Sequence, residues 1–461
     1  METLESHEDD FTTVVHELSA RFPFVELLAE RSRGAGARLN TQSVTALSRP
    51  TIQGAAIRAW SGERWVESAS SRLDAASLRA AADGLGRARS DGRPTPGTSS
   101  TTVGRWATRS ARPLADLETS TLIGLGRDAI RWAKEVPEIR EMQFEGSWSE
   151  DDRLYVNSAG ARASQRILRG VAVLVPIAFR DGRAESAYVV RGREGGQEVF
   201  DSVTEPTVRA AAEQAREMLG AGTPPAGDMN VILDPGACGV FAHESFGHGT
   251  EADQFVRNRS YLAPLLGTVL GPDEISIVDD GTAEGGWGSS FFDDEGNRTQ
   301  KTVLVDHGKF VGALHDRVTA AAYGVRATGN TRRADFLSRP YVRMTNTYVA
   351  PGDWTKEELV EEARDGVLLE RAMSGVEDPL GGQMQIRVHR GHRIEHGEVT
   401  GLVSSMALSG RVLDFLRAIR GVDQHADPTF EPGSCGKGST DLLPVADGGS
   451  FVLSRAIVGP A

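Results

Sequence analysis

The sequence has two cysteines, no surplus of positive charge and no long apolar run. Cys238 and Cys435 are too few for a disulfide scaffold, which favours a reducing compartment. The 51 Lys and Arg residues are outnumbered by 64 Asp and Glu residues, and the net charge of −13 argues against a dedicated nucleic-acid-binding protein. No run of about 18 apolar residues occurs, so no membrane-spanning helix is expected. The first ten residues also lack the basic and apolar regions of a signal peptide, and we expect a cytoplasmic protein.

The length and composition indicate two globular domains. At 461 residues the chain is longer than an average domain, and its 39% hydrophobic and 25% charged residues suit a substantial core. Paired prolines flanked by glycines, in AGTPPAG at residues 221–227, predict a domain boundary. We expect an α+β fold with an N-terminal α/β domain, built on a mixed sheet, over residues 1–225. A β-rich C-terminal domain that carries the metal site discussed below is expected over residues 226–461.

The spacing of apolar residues predicts helices between strand-rich stretches. The predicted helices span residues 11–20, 74–89, 114–135, 205–219, 240–252, 355–364 and 409–419. Hairpin turns are expected at Ser61-Gly62 and Asp181-Gly182, where short polar sequences separate strand-like segments. Residues 90–104 have the Gly, Pro, Ser and Thr content of an exposed loop.

The strongest local signal for chemistry follows a strand-like segment that ends at Leu233. It is the HExxxH pattern His243-Glu244-Ser245-Phe246-Gly247-His248. Imidazole is a common zinc ligand, and a carboxylate beside a ligand can act as general base toward a metal-bound water. The alternative interpretation is that two of the ten histidines flank an ordinary helix.

The five-residue spacing of the two histidines places a condition on the backbone. Residues four apart lie about 40° apart around an α-helix, whereas residues five apart lie about 140° apart. His243 and His248 therefore reach one metal ion only if the helix widens toward i→i+5 hydrogen bonding or breaks between them. We expect one of these distortions, and Gly247 is the residue that resists it least.

Two histidines do not complete a tetrahedral site, so a third ligand has to come from elsewhere in the chain. Cys435 is a candidate because it lies in the turn-like sequence EPGSCGKG, where glycines let the backbone approach a metal closely. Cys238, five residues before His243, is expected to pack in the core instead.

Two other patterns are weaker candidates for a functional site. His389, His392 and His396 lie in a strand-like segment that places the first two on opposite faces, so a solvated hairpin is favoured. Residues 124–129 match a dinucleotide fingerprint by letter but lie inside a helical pattern rather than after a strand. Neither a GxSxG elbow nor a P-loop occurs, which argues against a serine hydrolase and a nucleoside triphosphatase.

The residues around the HExxxH pattern resemble the signature of a known enzyme family. The sequence DPGACGVFAHESFGHGTEAD, at residues 234–253, is similar to that of the TldD/PmbA family of zinc metallopeptidases, in its catalytic TldD-type branch. Four further sequences follow in the family's order: VDDGT from Val278, DDEG from Asp293, RMTNT from Arg343 and SCGK from Ser434. Five ordered motifs outweigh the alternative of a chance HExxxH pattern.

The resemblance implies a particular site, activity and assembly. It implies zinc as the metal, with His243, His248 and Cys435 as its ligands and Glu244 as the general base. It also implies a dimer, either a homodimer or a heterodimer with a PmbA-type subunit that lacks the metal motif. The implied substrate is a short unfolded peptide or a peptide-derived intermediate. One departure follows SCGK, where residues 438–440 read GST rather than a sequence closer to DGQ; it concerns the shape of the substrate site rather than the metal.

We therefore expect a metallopeptidase that hydrolyses amide bonds. Its substrate is expected to bind by main-chain hydrogen bonds to an exposed strand edge, and residues 343–350 form either such an edge or an interior strand. Two other functions are open from the sequence: a specialised amidase that cleaves one biosynthetic intermediate, and a non-catalytic partner subunit. The intact HExxxH pattern and Cys435 argue against the second.

Overall fold

The computed structural model describes residues 3–86, 100–424, 429–437 and 442–461. Within these ranges, no helix is both long and apolar enough to cross a membrane. Most of the predicted loop at residues 90–104 lies outside the described residues, as do residues 438–440. The end of that loop was wrongly predicted: Val103–Ala107 is a strand, because its backbone pairs with a longer strand beside it.

Helices occur in both halves of the chain, and each predicted helical stretch contains or overlaps one of them; the helix at Arg317–Tyr323 was not predicted. They are α1 (Glu8–Ser19), α2 (Ala75–Asp83), α3 (Thr119–Lys134), α4 (Glu205–Met218), α5 (Pro235–Val240), α6 (Ala252–Phe255), α7 (Arg317–Tyr323), α8 (Lys356–Ala363) and α9 (Val412–Arg417). The four apolar side chains of α1 at helical spacing are buried, which confirms that prediction. Residues 124–129, which match a dinucleotide fingerprint, lie inside α3, which confirms that they belong to a helix rather than to a turn after a strand.

The N-terminal half is built around a nine-stranded sheet, here called the first sheet. Its strands are β1 (Phe24–Leu39), β2 (Val44–Ser48), β3 (Thr51–Trp60), β4 (Trp65–Ser70), β5 (Val103–Ala107), β6 (Ile139–Asn157), β7 (Arg162–Arg180), β8 (Arg183–Ser186) and β9 (Val189–Glu194). The order is β4-β3-β1-β6-β7-β5, and only β5 pairs in parallel, so the sheet is mixed as expected. The two predicted hairpin turns join β3 to β4 and β7 to β8.

The C-terminal half contains two larger sheets and a short ribbon. Its strands are β10 (Gly227–Leu233), β11 (Ile277–Asp280), β12 (Lys301–Asp306), β13 (Lys309–Phe310), β14 (Thr331–Arg332), β15 (Tyr341–Val342), β16 (Asn346–Val349), β17 (Gly366–Glu377), β18 (Gln383–Glu395), β19 (Glu398–Val403), β20 (Met406–Arg411), β21 (Gly421–Val422), β22 (Thr429–Cys435), β23 (Leu443–Gly449) and β24 (Val452–Pro460). The second sheet, β10-β17-β18-β20-β24, closes into a ring because β10 also pairs with β24. The third sheet has the order β13-β12-β11-β16-β23-β22. A β-rich C-terminal half is therefore confirmed.

The largest apolar core lies in the C-terminal half and surrounds α5. Cys238 on α5 is completely buried in this core, which confirms its expected packing role. The domain boundary proposed at residues 225/226 falls between α4 and β10. Among the described residues, every strand of the first sheet precedes this boundary and every strand of the other sheets follows it. The boundary itself stays a proposal.

Buried ion pairs join the two halves of the chain. Arg58 of β3 lies 2.9 Å from Glu26 of β1 and 3.2 Å from Glu295, which belongs to the DDEG sequence. Arg317 at the start of α7 lies 3.0 Å from Glu26. Separating the two halves would leave buried charges without partners. These contacts therefore favour a fixed orientation of the two halves.

Candidate metal centre

The segment that carries the two histidines begins directly after β10. Asp234 caps α5 by accepting a hydrogen bond from the N–H of Ala237 at 2.7 Å, and Pro235 lies in the first turn. The backbone then widens into a π-helix over Phe241–Phe246 and tightens into a 3₁₀-helix over Gly247–Thr250. The departure from regular α-helix that the histidine spacing requires is therefore confirmed.

Gly247 has a different role from the expected one. Its backbone angles, φ −59° and ψ −46°, are ordinary right-handed helical values, whereas Phe246 departs from the helix with φ −122°. A Cβ atom at Gly247 would overlap Sδ of Met344 and lie 3.0 Å from the carbonyl oxygen of Ala242. Close packing, rather than backbone freedom, favours glycine at this position.

The structure brings the four predicted site residues together. The rings of His243 and His248 are nearly perpendicular, with centroids 5.2 Å apart. Sγ of Cys435 lies 3.2 Å from Nε2 of His248. The Glu244 carboxylate lies 3.6 Å from Nε2 of His248 and 4.0 Å from Nε2 of His243. One donor atom from each of the four residues lies within 4.8 Å of all the others.

Donor atoms at these separations fit one metal ion. A tetrahedral ion with ligands at about 2.0–2.3 Å holds its donor atoms roughly 3.3–3.8 Å apart. The His243 ring is fully buried, and neither ring nitrogen makes a hydrogen bond among the described residues. A buried polar group of this kind is costly unless a ligand satisfies it. Two imidazoles and a thiolate form a donor set that suits zinc.

Two carboxylates hold the imidazole rings from the far side. Oδ1 of Asp447 lies 2.7 Å from Nδ1 of His243, a close contact that is poorly aligned for a hydrogen bond. Oε2 of Glu251 lies 3.3 Å from Nδ1 of His248. Both contacts engage Nδ1, and they leave Nε2 of each ring on the side of Glu244. Carboxylates in this position orient a histidine ligand and raise its basicity.

Lys437, two residues after Cys435, forms ion pairs with the segment that follows His248. Its ammonium group lies 2.8 Å from Oε2 of Glu251 and 2.7 Å from Oδ1 of Asp253. Burial opposes ionisation of Glu251, but Lys437 and His248 outweigh it and lower the pKa of Glu251 to about 2. Glu251 is therefore a carboxylate at neutral pH.

The charges inside the cluster favour metal binding and proton transfer. Burial raises the pKa of the Cys435 thiol, but the neighbouring imidazoles of His243 and His248 outweigh it and bring the pKa to about 5. The thiolate is the form that binds a metal. Burial also raises the pKa of Glu244, and it outweighs the two imidazoles, which lower that pKa. A carboxylate with a raised pKa accepts a proton more readily.

Two further motif sequences hold the hairpin of β22 and β23, which ends in Cys435. Arg343 of RMTNT donates a hydrogen bond to the carbonyl oxygen of Cys435. Asp279 of VDDGT accepts hydrogen bonds from the N–H and the hydroxyl of Thr345, both at 2.8 Å. The strand that follows, β16, pairs with β11 on one side and β23 on the other. Residues 346–349 are therefore an interior strand, not an edge for substrate.

A cavity of about 330 Å³ opens onto the cluster. Its lining includes Glu244, His248, Glu377 and Lys437. The side chains of Glu244 and His248 are 30% and 21% exposed, whereas His243 is completely enclosed. A molecule in this cavity can therefore reach Glu244 and His248 but not His243.

The rival histidine group does not form a site. His392 contacts Glu370 at 3.1 Å, and the side chain of His396 is 92% exposed in the turn between β18 and β19. Within the part of the chain that the structure describes, the only group of three or more His, Cys, Asp or Glu side chains close enough to share a metal is the cluster at Glu244. The hairpin interpretation of residues 389–396 is confirmed.

Comparison with known proteins identifies the family. The chain matches the model of the PmbA/TldA metallopeptidase C-terminal domain over residues 226–445 and that of the central domain over residues 112–219. A metalloprotease of Methanothermobacter thermautotrophicus is 34% identical over 365 residues, which are 79% of each chain. The chain belongs to the PmbA/TldD metallopeptidase family.

A second relative and a solved structure agree with this membership. A metalloprotease of Methanocaldococcus jannaschii is 35% identical over 306 residues, 66% of this chain and 67% of that protein. The crystal structure of TldE from Thermococcus kodakarensis covers 98% of this chain and 100% of its own, with a TM-score of 0.76 at 18% identity. At that identity the likeness concerns the fold alone, and it shows that this PmbA/TldD protein has the fold of TldE.

Proposed function

We propose that this protein is a zinc-dependent metallopeptidase that hydrolyses amide bonds of short unfolded peptides or of a peptide-derived intermediate. The observation that carries the proposal is the convergence of His243, Glu244, His248 and Cys435 within 4.8 Å beside an open cavity. Membership of the PmbA/TldD family and the metalloprotease names of the relatives support it.

In the proposed site, Nε2 of His243, Nε2 of His248 and Sγ of Cys435 hold the metal. A bound zinc ion would supply Lewis acidity for polarising a carbonyl group and activating water. Asp447 and Glu251 keep the two imidazoles oriented. Glu244, which also lines the cavity, is proposed as the base rather than as a ligand.

Glu244 is the proposed general base. Its carboxylate takes a proton from the attacking water and returns it to the leaving amine. The position of Glu244 in the cavity lining, within 4.0 Å of both imidazoles, supports this role. Partial burial adds to it by raising the pKa of Glu244 toward the range in which a base is effective.

The free edge of β17 is the proposed binding surface for the peptide backbone. β17 pairs with β10 only through residues 366–369, and among the described residues no other strand pairs with the opposite edge of residues 372–377. Gly375 packs directly on Glu244, since a Cβ atom there would lie 2.7 Å from Cβ of Glu244. An extended peptide along this edge would pass the general base and gain main-chain hydrogen bonds with little dependence on side chains.

A dimer is the proposed assembly, either a homodimer or a heterodimer with a PmbA-type subunit. The TldE fold supports the heterodimer as one of the two forms. An apolar surface supports association: Val256, Val318 and Leu337, which are 48%, 40% and 71% exposed, line one cavity of about 580 Å³. Clustered exposed apolar side chains commonly mark interaction sites.

Mass spectrometry tests the activity most directly. Purified zinc-loaded protein, alone and with a co-purifying partner, is incubated with a set of unstructured peptides, and Glu244→Gln serves as the matched control. We expect cleavage products from the wild-type protein and none from the variant. A specialised amidase would cleave a single intermediate and leave the peptides intact. A protein that carries no metal and cleaves nothing would instead be a non-catalytic subunit.

A further inference from the structure

A second cavity lies behind the hairpin that carries Cys435. It has a volume of about 230 Å³ and is bounded by β6 and β7 of the first sheet, the residues after β14 and the start of β23. Two of its lining residues, Leu443 and Pro444, are the cross-strand partners of Cys435 and Ser434. The cavity is therefore one strand away from the proposed metal ligand, on the side of the first sheet.

The lining of this cavity is rich in guanidinium groups. It contains Arg153, Arg169, Arg332 and Arg333. The acidic residues in the lining are Asp151, Asp293 and Asp294. A concentration of guanidinium groups in a partly enclosed space favours binding of an oxyanion, because each group presents several N–H donors in one plane.

Carboxylates compensate three of the four arginines. Nη1 of Arg169 lies 3.0 Å from Asp151. Arg153 forms an ion pair with Asp294. Nη1 of Arg333 lies 2.8 Å from a carboxylate outside the lining, that of Glu67.

Arg332 differs from the other three. Its Nη1 donates to the carbonyl oxygen of Met344 at 2.8 Å and its Nη2 to that of Pro444 at 2.7 Å. These neutral acceptors fix the side chain, but Arg332 takes part in no ion pair within the described residues. The Asp294 carboxylate in the same lining is already engaged by Arg153 and by the N–H of Arg333, the latter at 2.6 Å.

The surroundings of Arg332 disfavour an uncompensated charge. Burial lowers the pKa of Arg332, and the neighbouring Arg169 and Arg343 lower it further, to about 9, with only partial compensation from Asp294. A guanidinium has five N–H donors, and the two bonds to carbonyl oxygens leave donors available for a ligand. A bound oxyanion would supply both the missing negative charge and the missing acceptors.

We infer that this cavity is a binding site for a small oxyanion, a carboxylate or phosphate group, held by Arg332. Two sources of such a group are possible: the C-terminal carboxylate of a peptide, and a free anion. The first source rests on the proposed peptidase function and would place the end of a peptide beside the Cys435 hairpin. The second does not depend on that function.

Calorimetric titration of the full-length, zinc-loaded protein tests this site. Glu244→Gln is used as the parent so that peptides are bound and not consumed. The ligands are acetate, inorganic phosphate and one tripeptide in two forms, with a free C-terminal carboxylate and with a C-terminal amide. The test variant adds Arg332→Gln, and the control variant adds Arg326→Gln, an exposed arginine six residues earlier in the chain.

We expect the parent and the Arg326→Gln control to bind an oxyanion equally, and Arg332→Gln to bind it at least about tenfold more weakly, because a charge-assisted hydrogen bond is lost. Preference for the free-carboxylate tripeptide over its amide, lost in Arg332→Gln, identifies a peptide as the source. Binding of acetate or phosphate alone identifies a free anion. Absence of any oxyanion binding by the parent, or equal affinity in Arg332→Gln, overturns the inference.

A second measurement covers the case in which Arg332→Gln fails to fold. A bound ligand raises the melting temperature of the parent by mass action. No rise with acetate, phosphate or the free-carboxylate tripeptide at millimolar concentration overturns the site without the variant. Both measurements report binding rather than hydrolysis, so a failed oxyanion site and a failed peptidase proposal give different results.

Discussion

Asp447 and His243 come from distant parts of the chain and meet at 2.7 Å, Oδ1 to Nδ1, behind the candidate metal centre. The meeting depends on close packing between α5 and β23. A Cβ atom at Gly239 would overlap the backbone of Gly448, so a larger residue at position 239 would push the helix away from the strand. The orientation of a buried imidazole is thus linked to a contact between two glycines.

Replacement of Asp447 is expected to weaken metal binding without removing a ligand. Asp447→Asn keeps the shape of the side chain but loses the charge that orients His243, and such changes cost about 10–100-fold in metal affinity. Competition with a chelator of known zinc affinity measures the effect. Asp228→Asn, an exposed aspartate paired with Arg455, is the matched control. Equal zinc affinity in the wild-type protein and Asp447→Asn would contradict the positioning role.

Elemental analysis of protein purified without chelator is expected to find about one zinc ion per chain. Cys435→Ala should lose the metal, since two imidazoles alone do not complete the site. Cys238→Ala is the control because Cys238 is completely buried in the core and lies outside the cluster. That variant should keep the metal, and full zinc occupancy in Cys435→Ala would remove Cys435 from the ligand set.

Replacement of the proposed general base should separate catalysis from metal binding. Glu244→Gln is expected to retain zinc and to lose about 10²–10⁴ in the rate of peptide hydrolysis. Zinc content and cleavage rate are measured on the same preparation. Unchanged hydrolysis in the variant would reject Glu244 as the base, and loss of zinc would indicate that it is a ligand.

Gly247→Val is expected to lose the metal, because a Cβ atom at this position would overlap Sδ of Met344 and lie 3.0 Å from the carbonyl oxygen of Ala242, and the bulk of valine would then press on the turn between the two histidines. Gly247→Ala should show a milder form of the same defect. Combining it with Met344→Ala removes the overlapping sulfur, so the double variant should bind more zinc than Gly247→Ala alone. A Gly247→Ala protein with full zinc occupancy would show that the packing argument is wrong.

The proposed dimer predicts that assembly and activity change together with concentration. Light scattering is expected to give twice the mass of the chain, for a homodimer, or the summed mass of two chains when a partner co-purifies. Leu337→Ser places a polar group in the exposed apolar surface and should weaken the association. A monomer with full activity at nanomolar concentration would contradict the proposal.

Elements governed by local spacing could be predicted from the sequence. The buried face of α1 follows from its apolar periodicity, and the widened helix follows from requiring two histidines five residues apart to serve one ion. The strand at Val103–Ala107 was missed, because its start lies in a stretch, residues 90–104, whose Gly, Pro, Ser and Thr content is typical of a loop, and the pairing with β7 is not visible in the sequence.

Contacts between distant segments could not be predicted in the same way. The role of Gly247 depends on Met344, which reaches the helix only through the fold of the third sheet. Asp447 gives no signal in the sequence because it is separated from every motif, whereas Glu251 and Lys437 lie within motif sequences but take their roles from each other. The partners of the histidines are thus set by topology.

Cys435, the proposed thiolate ligand on β22, follows His248 by 187 residues. At about 5–20 residues per second, a ribosome needs roughly 10–40 s to make the intervening chain. During that interval the segment that carries Glu244 has been synthesised, but Cys435 and Asp447 have not. In the proposed peptidase, a nascent chain therefore has no complete site until Cys435 and Asp447 have been synthesised, and that same chain cannot hydrolyse a peptide earlier.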